Sequence, residues 1–269
     1  MQYSRGMSKT PATAASASAK SHKAAGHCTP QAVLFDAYGT LFDVYSVALL
    51  AEQLFPGHGQ ALSVLWRDKQ IEYTRLVTTS NHGAHYQPFW ELTRAALVFA
   101  IKKLVPPIDS TRASAEFHVQ VSQLMNQYRS LSAFPENRAV LQALKSQGVP
   151  TGILSNGDVA MLTLALKSSG LHDLVDHIIS VDPVRKYKTA PEAYALGEQT
   201  LGLAAAKVLF VSSNAWDALG ATWAGYQTLW VNRTQQPWEE IGPQPTHRGT
   251  SLRDVLCVPG LMPPNGSPA

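Results

Sequence analysis

Four short polar segments of this 269-residue chain carry the side chains whose types and spacing could do chemistry. The first is Asp36, which ends the apolar run of residues 32–35. A continuous run of Ala, Val, Leu and Phe is typical of a strand that is buried on both faces. A carboxylate at the end of such a strand lies where open α/β sheets bind their ligands, which makes Asp36 a candidate for chemistry. The alternative interpretation is that Asp36 only caps the following turn.

The second and third segments supply donors and a cation. Ser155 and Asn156 follow an apolar run and precede Gly157 and a predicted helix. A hydroxyl, oriented N–H groups and a helix N-terminus together favour an anion, although the two side chains could simply cap that helix. Lys188 lies just before a helix that starts with proline, where its charge could hold Asp36 ionised and bind an anionic substrate.

The fourth segment follows the apolar residues 208–211 and is dense in polar groups. Capping one helix turn requires fewer polar residues than this, so the segment predicts part of a site. Trp216 within it, and Tyr194 in an earlier helix, can also be interpreted as packing aromatics. The polar residues of the segment are Ser212, Ser213, Asn214 and Asp217.

The elements that must position these segments alternate between strands and helices. Such alternation predicts an α/β fold with a doubly wound parallel sheet, in which the four segments meet at one edge. The predicted strands cover residues 32–35, 150–155, 177–181, 207–212 and 227–231. The predicted helices cover residues 136–146, 158–167, 191–201 and 214–224.

The chain between Asp43 and residue 129 has a different pattern. Apolar residues recur there at helical spacing in four segments, and no strand pattern interrupts them. We therefore expect an inserted helical bundle that lies directly above Asp36. The four predicted helices cover residues 45–54, 60–79, 88–104 and 111–128. The predicted domains are a disordered extension at 1–29, a core at 30–43 and 129–236, a helical cap at 44–128 and an irregular, loosely packed tail at 237–269.

Composition excludes several classes of protein. Hydrophobic residues make up 45% and charged residues 15% of the chain, which is ordinary for a globular protein. The net charge of +3 is mild and the folded part has no basic stripe, so nucleic acid is a poor candidate partner. No apolar run is long enough to span a membrane or serve as a secretory signal. Only two cysteines are present, Cys28 and Cys257, which suits a reducing, cytoplasmic location.

The order of the four segments, with a helical insertion after the first strand, resembles the haloacid dehalogenase superfamily over residues 32–232. This resemblance implies a Rossmann-like core with a helical cap. Most superfamily members are phosphatases that use magnesium. The chain departs from them at Tyr38, where they have a catalytic Asp, and at Ser213, where they have a metal-binding Asp. Magnesium prefers several hard oxygen ligands, so these departures argue against metal-assisted phosphoryl transfer.

In these same departures, the chain resembles the (S)-2-haloacid dehalogenase branch of that superfamily. One difference is Asp68, which follows Arg67 where the branch often has Gln, so substrate or halide preference remains open. Five segments carry the resemblance: residues 35–43, 66–74, 155–157, 181–188 and 212–217.

The resemblance implies that Asp36 attacks the α-carbon of a short 2-haloalkanoate and that water then hydrolyses the resulting ester, with no metal or cofactor. It implies that Thr40 and Ser212 orient Asp36 and Lys188, that Asn214 and Asp217 hold Lys188 and the water, and that Arg67 and Asn156 receive the halide. The implied catalytic residues are Asp36, Lys188, Asp217, Thr40, Arg67, Ser212 and Asn214. The implied substrate-binding residues are Tyr38, Ser155, Asn156, Phe89, Tyr194, Trp216 and Arg67.

Two alternatives remain open beside this reading. One is a phosphatase or phosphonatase of the same superfamily, against which Tyr38 and Ser213 argue. The other is a catalytically silent member that binds carboxylates or partner proteins, although every expected polar position is occupied. The resemblance also implies a homodimer.

Overall fold

A computed structural model describes residues 29–105 and 111–261 of the chain. Its centre is a sheet in which all paired strands run parallel, with the spatial order β3-β2-β1-β4-β5-β6. This confirms the predicted parallel α/β sheet. The strands are β1 (Ala32–Phe35), β2 (Thr151–Ser155), β3 (His177–Ser180), β4 (Val208–Ser212), β5 (Gln227–Val231) and β6 (His247–Gly249).

The register of the sheet explains how distant segments meet. Every residue of β1, β2, β4 and β5 is buried, as expected for strands covered on both faces. In β1, Phe35 is paired with Ile153 on one side and with Val211 on the other. The residues that follow β1, β2 and β4 therefore emerge together at one edge of the sheet.

The helices divide into two groups along the chain. Between β1 and β2 the first four form the insertion, in which α2 packs extensively against α1 and α3. The later helices pack on the sheet, with α6 against β3, α7 against β2 and β3, and α8 against β4 and β5. The helices are α1 (Ala48–Leu54), α2 (Gly59–Thr79), α3 (Phe89–Leu104), α4 (Thr111–Arg129), α5 (Asn137–Ser146), α6 (Val159–Ser168), α7 (Pro191–Leu201) and α8 (Ala215–Trp223).

The expectation of an irregular, loosely packed tail at 237–269 is wrong for the described part of the tail. Residues 247–249 form β6 and extend the sheet beside β5. A 3₁₀-helix at Leu252–Cys257 follows, and Leu252 and Val255 are completely buried in the main core. Trp238 is also buried, with its ring centroid 5.0 Å from that of Trp230. The core therefore extends to the end of the described residues.

Two other expectations concern the rest of the chain. The predicted disordered extension at 1–29 lies, except for Thr29, outside the described residues. Within the described ranges, no helix combines the length and the apolar character that a membrane crossing requires.

Candidate active site

Asp36 follows β1 directly, and all its carboxylate contacts come from predicted site residues. Its side chain is 8% exposed. The Oδ2 atom accepts hydrogen bonds from Thr40 Oγ1 at 2.9 Å and from Asn214 Nδ2 at 2.8 Å, while Oδ1 accepts one from Lys188 Nζ at 3.1 Å. The carboxylate is therefore fixed in direction, and Oδ1 is the less encumbered of its two oxygens.

Lys188 is a buried cation that lies between two buried carboxylates. Its Nζ atom contacts Asp36 on one side and Asp217 Oδ2, at 3.0 Å, on the other. The ammonium also lies 4.8 Å from the centre of the Phe210 ring. A buried charge is costly unless it is paired, so the three side chains form one electrostatic unit. On the backbone side, Lys188 N donates to Asn156 Oδ1 at 3.0 Å, which fixes the loop that carries the lysine.

Asp217 lies in the first turn of α8 and is completely buried. Burial raises the pKa of Asp217 to about 6, with the ammonium of Lys188 lowering it and the charge of Asp36 raising it. The hydroxyl of Tyr194 donates to Asp217 Oδ1 at 2.8 Å. A carboxyl group that titrates near neutral pH is suited to accept and return a proton during a reaction.

The polar turn after β4 connects Asp36 to its neighbours. Thr40 Oγ1 donates to Asp36 and accepts from Ser213 N at 2.8 Å. Ser212 Oγ accepts from Asn214 N at 3.1 Å, so it shapes the turn and is bonded to neither Asp36 nor Lys188. Asn214 likewise bonds Asp36, not Lys188. Thr40 thus has the contact that the sequence predicted, whereas Ser212 and Asn214 have different ones.

Arg67 brings a second cation to this edge from the insertion. It lies on α2, and its Nη2 atom donates to the carbonyl oxygen of Tyr38 at 3.0 Å and to Asn214 Oδ1 at 3.4 Å. Its Nη1 atom donates to Gln70 Oε1 at 2.7 Å. Asn214 Nδ2 donates to the same Tyr38 carbonyl at 3.0 Å. The insertion therefore contacts the core through Arg67 directly above Asp36.

Three aromatic side chains pack together where the insertion meets the core. The ring of Tyr38 lies 5.6 Å from that of Phe89 and 5.5 Å from that of Tyr128. All three are buried, and burial raises the pKa of Tyr38. Gly157 leaves room for this arrangement, because a Cβ atom there would lie 2.8 Å from Tyr38 Cε2. Tyr38 and Phe89 are thus packed together and buried, and their place in the wall of the substrate pocket stays a prediction.

The other predicted substrate-binding residues lie in three different environments. Ser155 is buried at the end of β2, and its Oγ atom accepts from Gly157 N at 3.2 Å. Trp216 lines a cleft of about 520 Å³ together with Arg67 and Asn214. Tyr194 does not lie at the edge of the pocket, because its hydroxyl is buried against Asp217 on the far side of Lys188. Its role in this structure is to hold Asp217.

The sequence analysis missed three residues around the site. Gln70 and Tyr128 hydrogen-bond each other within the insertion, and Gln70 also holds Arg67. Helical periodicity marks both as inward-facing but gives no hint of a polar role. Arg233 follows β5 and donates to Ser213 Oγ at 2.6 Å, to the Thr40 carbonyl at 3.2 Å and to Glu136 at 3.0 Å. No sequence signal distinguishes it from a solvated arginine.

The donor set does not suit a divalent cation. Across the described ranges, no three His, Cys, Asp or Glu side chains converge as metal ligands would. The space between Asp36 and Asp217 is taken by the ammonium of Lys188, and Ser213 Oγ accepts from the guanidinium of Arg233. Magnesium requires several oxygen ligands, and two fixed cations already compete for these oxygens.

Comparison with known proteins agrees with this geometry. The family model for haloacid dehalogenase-like hydrolases matches residues 30–225. The chain is 42% identical over 224 residues to the (S)-2-haloacid dehalogenase of Pseudomonas sp. (strain YL), covering 83% of this chain and 92% of that protein. It is 40% identical over 215 residues to haloacetate dehalogenase H-2 of Moraxella sp. (strain B), covering 80% of this chain and 91% of that one.

Solved structures give the same result. A crystal structure of an L-2-haloacid dehalogenase superposes with a TM-score of 0.79 and 53% identity, over 86% of this chain and 98% of that one. The L-2-haloacid dehalogenase of Xanthobacter autotrophicus, solved with chloropropionic acid covalently bound, superposes with a TM-score of 0.76 and 33% identity, over 85% and 98% of the two chains. The chain therefore belongs to the haloacid dehalogenase-like hydrolases.

Proposed function

We propose that this chain hydrolyses short (S)-2-haloalkanoic acids to (R)-2-hydroxyalkanoic acids and halide, through an ester on Asp36 and without a metal ion. The observation that carries the proposal is the buried Asp36 carboxylate, which is held by Lys188, Thr40 and Asn214 and has one lightly bonded oxygen. The names of the similar proteins support the substrate class. They give no support to the phosphatase or phosphonatase alternative.

In the first step, Asp36 Oδ1 forms a bond to the α-carbon while the carbon–halogen bond breaks and the halide takes its electron pair. Attack from the side opposite the halide inverts the carbon centre, which converts an (S) substrate into an (R) product. A desolvated carboxylate of fixed direction is a strong nucleophile for such a displacement. Arg67 supplies the positive charge that the leaving halide requires, together with the amide of Asn156.

In the second step, water adds to the carboxyl carbon of Asp36 and the α-hydroxy acid leaves with the original Asp36 oxygen. The attacking water must lose a proton and the departing alkoxide must gain one. Asp217, with its pKa raised to about 6, is the group suited to this exchange, and Lys188 lies between it and Asp36. The second water proton leaves with the halide as the overall acid product.

We expect a short substrate, as in the names of the similar proteins. Its carboxylate is held by Ser155, Lys188 and nearby backbone N–H groups at the β2 end of the crevice. Its alkyl part packs on Tyr38 and Phe89, which exclude bulk water from the ester. Trp216 lines the cleft through which the substrate enters.

The test follows oxygen and halide separately. Single turnover of excess enzyme with (S)-2-chloropropionate in ¹⁸O-water should place the label in the Asp36 side chain, and the first hydroxy acid formed should be unlabelled. Asp36→Asn should release no chloride, and (R)-2-chloropropionate should not react. Full turnover is expected in excess EDTA. Label that enters the hydroxy acid directly, or activity that depends on added magnesium, would overturn the proposal.

We also propose that the enzyme is a cytoplasmic homodimer. The free, exposed thiol of Cys257 suits a reducing compartment. The homodimer rests on resemblance to related enzymes, and light scattering coupled to gel filtration tests it. A monomeric mass at micromolar concentration would contradict it.

A further inference from the structure

The loop that precedes Lys188 is bound by the insertion as well as by the core. Tyr86, which lies between α2 and α3, donates its hydroxyl hydrogen to Asp182 Oδ1 in this loop. In return, the hydroxyl of Tyr187 donates to the carbonyl oxygen of Gln87 at 2.5 Å. Tyr187 N donates to Thr78 Oγ1, near the end of α2, at 3.0 Å. Three hydrogen bonds therefore cross between the cap and the six residues 182–187 that precede Lys188.

Aromatic packing reinforces these hydrogen bonds. The rings of Tyr86 and Tyr187 stack with their centroids 5.3 Å apart, and Phe89 lies 6.0 Å from Tyr187. The guanidinium of Arg185 lies 5.3 Å from the centre of the Tyr86 ring. Tyr187 is completely buried, and both of these aromatic neighbours, Tyr86 and Phe89, belong to the insertion. Separation of the cap from the core would expose this ring to water.

The backbone of the loop has a conformation that its surroundings must hold in place. Arg185 has a φ of 52°, in the left-handed region that residues with a Cβ atom rarely adopt. Such a conformation persists only where the surroundings enforce it. On the core side, Lys188 N is bonded to Asn156 and Asp182 N to Ser180 Oγ, and Arg185 N closes the turn on the carbonyl oxygen of Asp182. The cap contacts at Tyr86 and Tyr187 hold the same loop from the other side.

We propose that Tyr86 and Tyr187 form a closure latch, in which two positioning residues hold Lys188 against Asp36 and Asp217 when the cap is closed. The proposal rests on the proposed function, because it concerns the efficiency of the Asp36 reaction. The cap also carries Arg67, so closure brings both cations of the site into place together. Neither tyrosine touches the reacting atoms, and both act through the backbone that leads to Lys188.

The latch is tested with Tyr86→Phe, which keeps the stacked ring and removes only the hydrogen bond to Asp182. The matched control is Tyr73→Phe, which removes a hydroxyl from α2 at a ring that contacts Lys69. Asp182→Asn is the conservative variant, since its side-chain oxygen can still accept from Tyr86. Single-turnover ester formation on Asp36 is measured by mass spectrometry, together with the pH dependence of kcat and the Tm of each variant.

Tyr86→Phe should slow ester formation about tenfold, which is the effect of losing one hydrogen bond to a charged group. It should also move the acidic limb of the kcat profile to higher pH, because the pKa of Asp217 rises as Lys188 moves away. Asp182→Asn should retain most of the rate, and Tyr73→Phe should match the parent. The latch would be refuted by a Tyr86→Phe variant that has a lower Tm but an unchanged rate of ester formation and an unchanged acidic limb of the kcat profile. Both are measured at a temperature where all variants are folded.

Failure of the proposed function is distinguishable from failure of the latch. If the parent releases no halide, the function is wrong, and hydrogen exchange then tests the latch directly. Amides of residues 182–190 should exchange faster in Tyr86→Phe than in Tyr73→Phe. Equal exchange in the two variants would overturn the latch whatever the reaction is.

Discussion

Replacement of Lys188 by methionine isolates the electrostatic role of the buried ammonium. Methionine has a similar length and an apolar end, so Lys188→Met removes the charge with little change in volume. Asp36 and Asp217 are then two buried carboxylates without their shared cation. Removal of one partner from a buried ion pair costs about 3–5 kcal/mol. We expect a loss of unfolding free energy of that size at pH 8, together with loss of chloride release.

The pH dependence of this loss follows from Asp217. Its pKa in the folded parent is about 6, above the value of about 3.9 in unfolded chains. The contribution of Asp217 to the free energy of unfolding is therefore largest below pH 4 and is lost as the pH rises from 4 to 6. Lys188 lowers the pKa of Asp217, so the pKa is higher in the variant. Above pH 6 the parent therefore stops losing stability, while the variant loses a further ~1.4 kcal/mol per pH unit until its own pKa is reached.

Urea denaturation at pH 5, 7 and 9 measures both the loss of unfolding free energy and its dependence on pH. The difference between Lys188→Met and the parent should be smallest at pH 5 and should grow above pH 6. Lys188→Met/Asp217→Asn is the matched control, because the amide oxygen of Asn can still accept from Tyr194 and nothing remains at this position to titrate. The growth with pH should vanish in that double variant. A difference that is independent of pH, or that grows equally in both variants, would refute the electrostatic account.

Three further predictions concern the reaction and its pocket. Arg67→Lys keeps the charge but loses the guanidinium fork that reaches both the Tyr38 carbonyl and Gln70. The kcat for chloride release should therefore fall about 10- to 100-fold. An unchanged kcat would contradict the role of Arg67 in binding the halide. Gly157→Ala places a Cβ atom 2.8 Å from Tyr38 and should cost about 1–3 kcal/mol in thermal unfolding, and a neutral effect would show that the Tyr38 ring can yield. Asp217→Asn should release one equivalent of chloride per site and then stop with the ester intact, whereas continued turnover would exclude Asp217 as the base.

Most of what the sequence could predict follows from one rule, that open α/β sheets bind ligands at the carboxyl ends of their strands. Apolar runs located β1, β2 and β4, and parallel pairing brings their ends together, which is why Asp36, Asn156 and Asn214 meet. The rule says nothing about residues inside helices. From the sequence, Tyr194 could be either a packing aromatic or a substrate-binding residue, and only the structure shows its hydrogen bond to Asp217.

The tail illustrates a different limit of sequence reasoning. Its strand β6 has only three residues, too few for either alternation or a continuous apolar run to be recognised. The abundance of Pro and Gly then suggested irregular structure. A signal was nevertheless present, because the buried residues Leu252, Val255, Val258 and Leu261 recur at every third position. That spacing matches the three residues per turn of a 3₁₀-helix, which covers the first two of them.

In the proposed mechanism, the distribution of charge gives the cap a part in the chemistry. Before reaction, the negative charge to be moved resides on Asp36, where Lys188 on the core stabilises it. During the displacement that charge leaves Asp36 for the halide, so Lys188 orients the carboxylate for attack, whereas the charge that develops on the halide needs a cation of its own. A cation near the halide favours the transition state selectively, and Arg67 brings one from the cap to the Tyr38 carbonyl and to Asn214. In that mechanism, closure of the cap supplies positive charge where negative charge arrives, so an enzyme whose cap stays open would carry out the displacement slowly.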